Sequence, residues 1–432
     1  MTPRAGAADA AVRGDTGVGK SGVADSGGAD GGGADGGGAN TARIMPGSAA
    51  IAEAMIAAGC RFFAGYPMTP FTEVLETMAA RLPAAGGVCI NAESELEAVG
   101  MAWGAAATGT PAATGSTGQG LSLMQESLAE IVYARLPLVV LNMARAQGDY
   151  FQATRGGGHG DYRHLVLAPC DVPEAVELTQ LAFHLAEKWR SPVMVMGDYY
   201  LAHTHQSVTI GRPDFPPLPP RDWALDGSSG GTGAAKLISP LSDAKQRHAA
   251  GRADAGYDLA EFYHRHVAVM ERMVSEEPPR FEAEFTEDAE VVVVAYGTPG
   301  AYVRQAVREL RAEGRRVGYV RPITLVPFPS EAVAEAARGA RVVAVYENNQ
   351  GQMLDDVRLA VLGAVPVRFI GGLSLDPSGF GIAPDLDVGV LRRRLADVHD
   401  AAVSEGAVSE AAVSEAAGSR VATGSHGTAG MA

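Results

Sequence analysis

From Arg61 onward the chain repeats one pattern: a short apolar run, a turn of Gly, Pro, Ser or Thr, then a longer stretch with helical spacing. Arg61–Ala64, Val88–Asn91, Ala112–Thr114, Leu138–Asn142, Leu165–Ala168 and Val193–Met196 read as strands. A second set follows at Val291–Tyr296, Val317–Val320, Val342–Tyr346 and Val367–Ile370. Apolar strands alternating with helices mean βαβ units, hence parallel sheets covered on both faces. The expected class is α/β, with two doubly wound domains.

Composition places the boundaries. Residues 1–43 are Gly, Ala, Ser and Asp filler with almost no large apolar side chain. Such a segment buries too little surface to offset its ordering entropy, so it reads as a disordered tail. The first domain takes 44–205. Residues 206–285 open on PDFPPLPP and DGSSGGTGAA and read as a linker and insertion. The second domain takes 286–395, with an apolar core that reads as independent of the first. Residues 396–432 carry AAVSE and GAVSE units and read as a low-complexity tail with room for a frayed helix.

Several function classes fall away. Asp and Glu number 50 against 35 Lys and Arg, a net charge of −15, which speaks against nucleic acid as a partner. The 3 cysteines, Cys60, Cys89 and Cys170, lie far apart with no CxxC. That rules out a disulfide scaffold, an all-cysteine zinc site and a four-cysteine iron–sulfur cluster built by this chain alone. The usage points to a reducing, cytoplasmic compartment. No apolar run reaches the ~18 residues of a membrane helix. The first residues lack the apolar core of a signal peptide, so neither membrane nor export is expected. Gly14–Ser21 matches the phosphate-loop pattern GxxxxGK[ST], but no strand precedes it and no helix follows, so a chance match is expected there.

The residues that carry chemistry sit where strands end. Ser94 and Glu97 form a capping box, which puts Glu95 in the first turn of a helix after Val88–Asn91. An acid there complements the helix dipole; it also stands at the strand end where α/β ligand clefts form. In Tyr66-Pro67-Met68-Thr69-Pro70, Thr69 reads as a helix cap with Pro70 as first residue, or as a hydroxyl aimed at a ligand. The loop Gly115–Gly120, with Thr117 and Gly118, is a tight turn or a place where backbone approaches a ligand closely. Arg145 follows Leu138–Asn142 and suits either a surface salt bridge or a carboxylate ligand. Gly156–Asp161, with His159, is a glycine-demanding loop or an active-site lid. Glu347-Asn348-Asn349-Gln350-Gly351-Gln352 reads as a buried polar turn that knits a domain interface.

Three segments, GYPMTPFTEVLETMA (65–79), NAESELEAVGMAWGAAATGTPAATGSTGQGLSLMQESLAE (91–130) and the run from QGDYFQATRGGGHGDYR to PVMVMGD (147–198), resemble the alpha subunit of the 2-oxoacid:ferredoxin oxidoreductases. VVAVYENNQGQMLDDVR (342–358) resembles that subunit's transketolase C-terminal-like domain. The DYFQATRGGGHGDYR run is most similar to the branched-chain (3-methyl-2-oxobutanoate) members, with the 2-oxoglutarate members close behind. The resemblance makes the first domain the pyrimidine-binding domain of a thiamine diphosphate enzyme. It implies that Glu95 hydrogen-bonds the cofactor's aminopyrimidine and so promotes loss of the thiazolium proton. Tyr66, Pro67, Thr117 and Gly118 would line the cofactor; Thr69, Arg145 and His159 would face the substrate.

The same resemblance implies what lies elsewhere. The metal motif GDG…N has no match, since Gly197-Asp198-Tyr199 lacks the second glycine. Mg²⁺ and a [4Fe–4S] cluster are therefore expected on a beta subunit, and in some relatives a gamma or delta chain completes the path to ferredoxin. The implied reaction takes a 2-oxoacid and CoA to acyl-CoA and CO₂ while reducing ferredoxin. Only Ala146 separates Arg145 from Gln147, where relatives carry a longer Gly/Pro-rich loop. Two other readings stand beside this one: an E1 beta-type thiamine chain that passes acyl groups to lipoamide, and a non-catalytic homologue.

Overall fold

The structure is a computed structural model that describes residues 41–225, 259–372 and 386–423. The phosphate-loop match at 14–21 and most of the expected linker lie outside the described residues. Arg43–Pro46 (β1) pairs antiparallel with His205–Val208 (β8) in a separate two-stranded ribbon.

The main sheet is built by Phe62–Gly65 (β2), Val88–Asn91 (β3), Ala112–Ser116 (β4), Leu138–Ala144 (β5), Leu165–Leu167 (β6), Pro192–Asp198 (β7) and Thr324–Val326 (β12). Their order is β12-β6-β7-β5-β4-β2-β3. All neighbours are parallel except β12, which pairs antiparallel with β6. Every residue of β5 and β7 is buried, as expected of central strands covered on both faces. One face carries Gly47–Ala57 (α1), Thr72–Arg81 (α2) and Val172–Trp189 (α6); the other carries Glu95–Ala107 (α3) and Gly118–Ala134 (α4). Tyr150–Thr154 (α5) and Tyr199–His203 (α7) are single turns.

The second sheet contains Phe281–Glu284 (β9), Val291–Val294 (β10), Val317–Pro322 (β11), Val342–Val345 (β13) and Val367–Phe369 (β14), in the order β14-β13-β10-β11-β9. Only β9 is antiparallel. Helices Gly297–Ala312, Ser330–Ala337 and Met353–Val361 connect its strands. The helix Val388–Thr423 runs through position 396, where the sequence reading ends the domain. It buries Leu391, Leu395, Val398 and Ala402 against the second sheet.

The two apolar cores are not independent. One cluster joins Val140, Tyr150 and Val166 to Val292, Val294, Tyr296, Val343 and Met353. The chain also leaves β11 at Pro322 and enters β12 at Thr324, so a single residue carries it from one sheet to the other. An ion network around the buried Arg321 adds to the joint. Arg321 donates two hydrogen bonds to Glu174 of α6 (2.8 and 2.9 Å) and one to Glu282 of β9 (2.9 Å). The residues read as an insertion include the helix Leu259–Glu276, whose Met270 and Met273 are buried against the first half of the chain. Just beyond it, Glu277 accepts from Trp189 Nε1 (2.9 Å) and Lys188 Nζ (2.7 Å).

Candidate active site

Strand order decides where a site can form. β2 lies between β3 and β4, so the chain leaves β2 toward one side and returns to the other. Helix α2 then covers one face and α4 the opposite face, which opens a crevice beyond the carboxyl ends of β2 and β4. The loops at 66–70, 92–95, 117–120 and 145–149 all leave the parallel strands at this same edge.

Glu95 is the first residue of α3 and is 2% exposed. Ser94 caps the helix by accepting from the Leu96 N–H at 3.2 Å, and its hydroxyl also meets the Glu97 carboxylate. The Ser116 hydroxyl, at the end of β4, donates to Glu95 Oε1 at 2.7 Å. Gly120 packs on the same carboxylate: a Cβ there would lie 2.1 Å from Glu95 Oε1 and 2.0 Å from Ser116 Oγ. Only glycine lets α4 approach this closely. The acid is thus held by a hydroxyl, a helix N-terminus and a bare backbone surface.

Thr117 caps α4 in extended conformation, fully buried, yet its hydroxyl has no hydrogen-bond partner. Asn142 Oδ1 is in the same condition. A buried polar atom left unpaired costs free energy, so both atoms fit a polar ligand brought to this edge. The Gly118 N–H and Asn142 Nδ2 donate to Asp149 Oδ2 at 3.0 and 3.2 Å. Burial pushes the Asp149 carboxyl above its usual range, while these two donors and the nearby Arg145 hold it down.

Thr69 does not cap a helix. The Phe71 N–H bonds the Met68 carbonyl at 2.7 Å, closing a turn around the cis Thr69–Pro70 bond, and α2 begins at Thr72. The turn leaves Tyr66, Pro67 and Thr69 exposed on the crevice edge. Arg145 reaches across to it: its Nε donates to the Thr69 carbonyl at 3.2 Å and one terminal nitrogen to Gln119 Oε1 at 3.3 Å. Beside this bridge lies a cavity of about 310 Å³ lined by Thr117, Gly118, Ser122, Arg145, Asp149 and Gln152, among others.

His159 is not brought to this group. Its Nε2 lies 3.0 Å from Glu130 Oε1 and its ring stacks on Tyr133. Glu130 is 12 residues along α4 from Gly118, ~18 Å at ~1.5 Å per residue. Asp198, of the incomplete metal motif, is buried and accepts from Leu201 N (2.9 Å) and Thr298 Oγ1 (3.0 Å). Among the described residues no group of three His, Cys, Asp or Glu side chains is placed to hold a metal ion. Nor is any helix there long and apolar enough to cross a membrane. Ser116 and Gly120 belong to the loop 115–120 read from the sequence as a close approach to a ligand, whereas Asn142 and Asp149 join the site without having been singled out; the signal for Asn142 was a polar side chain near the end of an apolar strand.

The family described as "Pyruvate flavodoxin/ferredoxin oxidoreductase, thiamine diP-bdg" matches residues 53–222, and "Pyruvate:ferredoxin oxidoreductase core domain II" matches 289–376. The ketoisovalerate oxidoreductase subunit VorB of Methanothermobacter thermautotrophicus is 35% identical over 328 residues, covering 74% of this chain and 89% of the relative. The 2-oxoglutarate synthase subunit KorA of Methanocaldococcus jannaschii is 36% identical over 337 residues, covering 72% and 90%. The solved 2-oxoglutarate:ferredoxin oxidoreductase from Magnetococcus marinus, with 2-oxoglutarate, coenzyme A and succinyl-CoA bound, superposes with a TM-score of 0.67 at 27% identity. That match takes in 82% of this chain and 65% of the solved one. A thiamine diphosphate-binding domain followed by a core domain II, in the order and at the length of these subunits, means that the chain belongs to the 2-oxoacid:ferredoxin oxidoreductase family.

Proposed function

We propose that this chain forms one half of a composite site for oxidative decarboxylation of a branched-chain 2-oxoacid, 3-methyl-2-oxobutanoate, with transfer of the acyl group to CoA and of electrons to ferredoxin. The observation that carries the reading is the Glu95 carboxylate, buried at the switch point between β2 and β4 and fixed there by Ser116 and Gly120. When bound, thiamine diphosphate supplies the electron sink for loss of CO₂. Glu95 would hold the proton at its aminopyrimidine ring. Tyr66, Pro67, Thr117 and Gly118 would line that ring, with the unpaired Thr117 hydroxyl as a further contact. Thr69 and Arg145 would receive the substrate carboxylate, for which a planar guanidinium is suited.

A beta subunit would hold the diphosphate end, Mg²⁺ and a [4Fe–4S] cluster, and a gamma or delta chain would extend the electron path in the larger assemblies. The branched-chain choice rests on the run at 149–163; the ketoisovalerate and 2-oxoglutarate relatives, at 35% and 36% identity, are equally similar to the chain and leave 2-oxoglutarate as the alternative substrate. Buried thiols at Cys60 and Cys170 fit a reducing cytoplasm.

Purification with the beta chain, followed by a screen of 2-oxoacids for viologen-dye reduction, tests the reading. Turnover should be highest with 3-methyl-2-oxobutanoate. A preference for 2-oxoglutarate would overturn the substrate, and silence with every 2-oxoacid would overturn the catalytic role. Gly120→Ala should push the Glu95 carboxylate aside and weaken thiamine diphosphate binding at least ~10-fold, a loss of about 1.4 kcal/mol or more. Titration of the cofactor into the two-chain complex measures this, with an unchanged melting temperature as the control for folding.

A further inference from the structure

We infer that residues 147–155 form a strap through which the second sheet and its loops set the position of Arg145, with Gln147 and Asp356 as positioning residues for the reaction. This rests on the reading of Arg145 as the ligand of the substrate carboxylate.

The strap is bonded along its length to the second half of the chain. Gln147 accepts from Asn348 N (2.8 Å) through Oε1 and donates to the Tyr296 carbonyl (3.0 Å) through Nε2. Its own carbonyl accepts from Asn349 Nδ2 at 2.9 Å, and its N–H meets the Asn348 carbonyl at 3.3 Å. Gln352 then takes the Phe151 N–H (2.8 Å) and donates to the Gly148 carbonyl (2.9 Å). Asp356 accepts from Tyr150 Oη (2.6 Å) and Arg155 (2.9 Å). The intervening residues face the crevice instead: Asp149 holds the Gly118 N–H at the start of α4, and Gln152 accepts from Ser122 at 2.8 Å. One strap therefore touches the second core on one side and the site on the other.

Arg145 has little of its own to fix it. It is half-buried, and its two hydrogen bonds are long, 3.2 and 3.3 Å. Its backbone, however, is held from both sides. Ala144 is the last paired residue of β5, opposite Asp198, and only Ala146 separates Arg145 from Gln147. With consecutive Cα atoms about 3.8 Å apart, so short a span passes a shift of Gln147 to the Arg145 backbone, from which the guanidinium is held out to Thr69 and Gln119. The polar turn Glu347–Gln352 is anchored in turn by Glu347, whose buried carboxylate accepts from Met353 N (2.8 Å), Leu354 N (2.9 Å) and Asn349 Nδ2 (2.8 Å).

The test inserts Gly-Ser-Gly between Ala146 and Gln147 in the complex with its beta chain, beside Arg145→Ala, Asp356→Ala and Asp356→Asn. The insertion keeps every bond of the strap but releases Arg145 from it. It should raise KM for the 2-oxoacid about tenfold or more, the loss expected when a charge-assisted contact to the substrate carboxylate is loosened in ground and transition state alike. The kcat, the melting temperature and thiamine diphosphate affinity should stay close to those of the parent. Asp356→Ala should raise KM in the same direction. Asp356→Asn, which keeps an acceptor for the Tyr150 hydroxyl, should restore most of it. If Arg145→Ala raises KM and the insertion does not, the strap has no positioning role and the substrate reading survives. If Arg145→Ala itself leaves KM unchanged, both fall. Equal losses of kcat and melting temperature in the two Asp356 variants would reduce the strap to a structural joint and overturn the inference.

Discussion

Glu95→Gln should abolish most oxoacid-dependent electron transfer, lowering kcat by about 10²–10⁴, the usual contribution of a placed proton-transfer group. The substitution is nearly isosteric. A Gln amide oxygen still accepts from the Ser116 hydroxyl, and Gly120 still gives it room, so the packing around the side chain is kept. What is lost is the ionisable carboxyl. The measurement is reduction of ferredoxin or a viologen dye by the two-chain complex with saturating cofactor and 2-oxoacid, alongside circular dichroism. Rates within threefold of the parent would remove Glu95 from the chemistry. Ser116→Ala is the companion variant: it removes one neutral hydrogen bond and should cost far less.

That acid was legible because local signals agree on it. A capping box, an apolar strand before it and helical spacing after it all place Glu95 at one strand end. The main parallel strands were legible for the same reason. The failures share a different cause. β12 is flanked by Pro322 and Pro327, so its sequence looks like a loop; only pairing with β6, over 150 positions away in the chain, makes it a strand. Thr69 fits a helix cap by pattern, but the turn closed on Met68 delays the helix. His159 stands out beside its glycines, and nothing local tells that its partner is Glu130. Gln147 is an ordinary loop residue until Asn348 and Asn349, some 200 positions on, are beside it.

Arg321→Ala should be strongly destabilising, by about 2–3 kcal/mol, because it removes the buried cation that two half-buried carboxylates share; their partial exposure keeps the loss below that of a fully buried pair. Arg321 is 4% exposed, and it ties Glu174 at the start of α6 to Glu282 on β9. Glu174 would keep only the Cys170 N–H (2.7 Å), and Glu282 only Arg304 (2.6 Å). Arg321→Lys keeps the charge without the two-pronged fork and should recover part of the loss. Urea unfolding followed by tryptophan fluorescence would show a lower midpoint for Arg321→Ala, with Arg321→Lys in between. An unchanged midpoint would mean that the network contributes nothing net.

The single residue Ile323 between β11 and β12 has a consequence for how this polypeptide can be cut. A fragment ending near position 225 would lack the strand that closes its main sheet and would show the bare backbone of β6 to any passing chain, an invitation to aggregate. A fragment beginning near 259 would carry that closing strand with nowhere to lay it. The second half thus supplies the finishing edge of the first, and neither should be expected to survive expression alone.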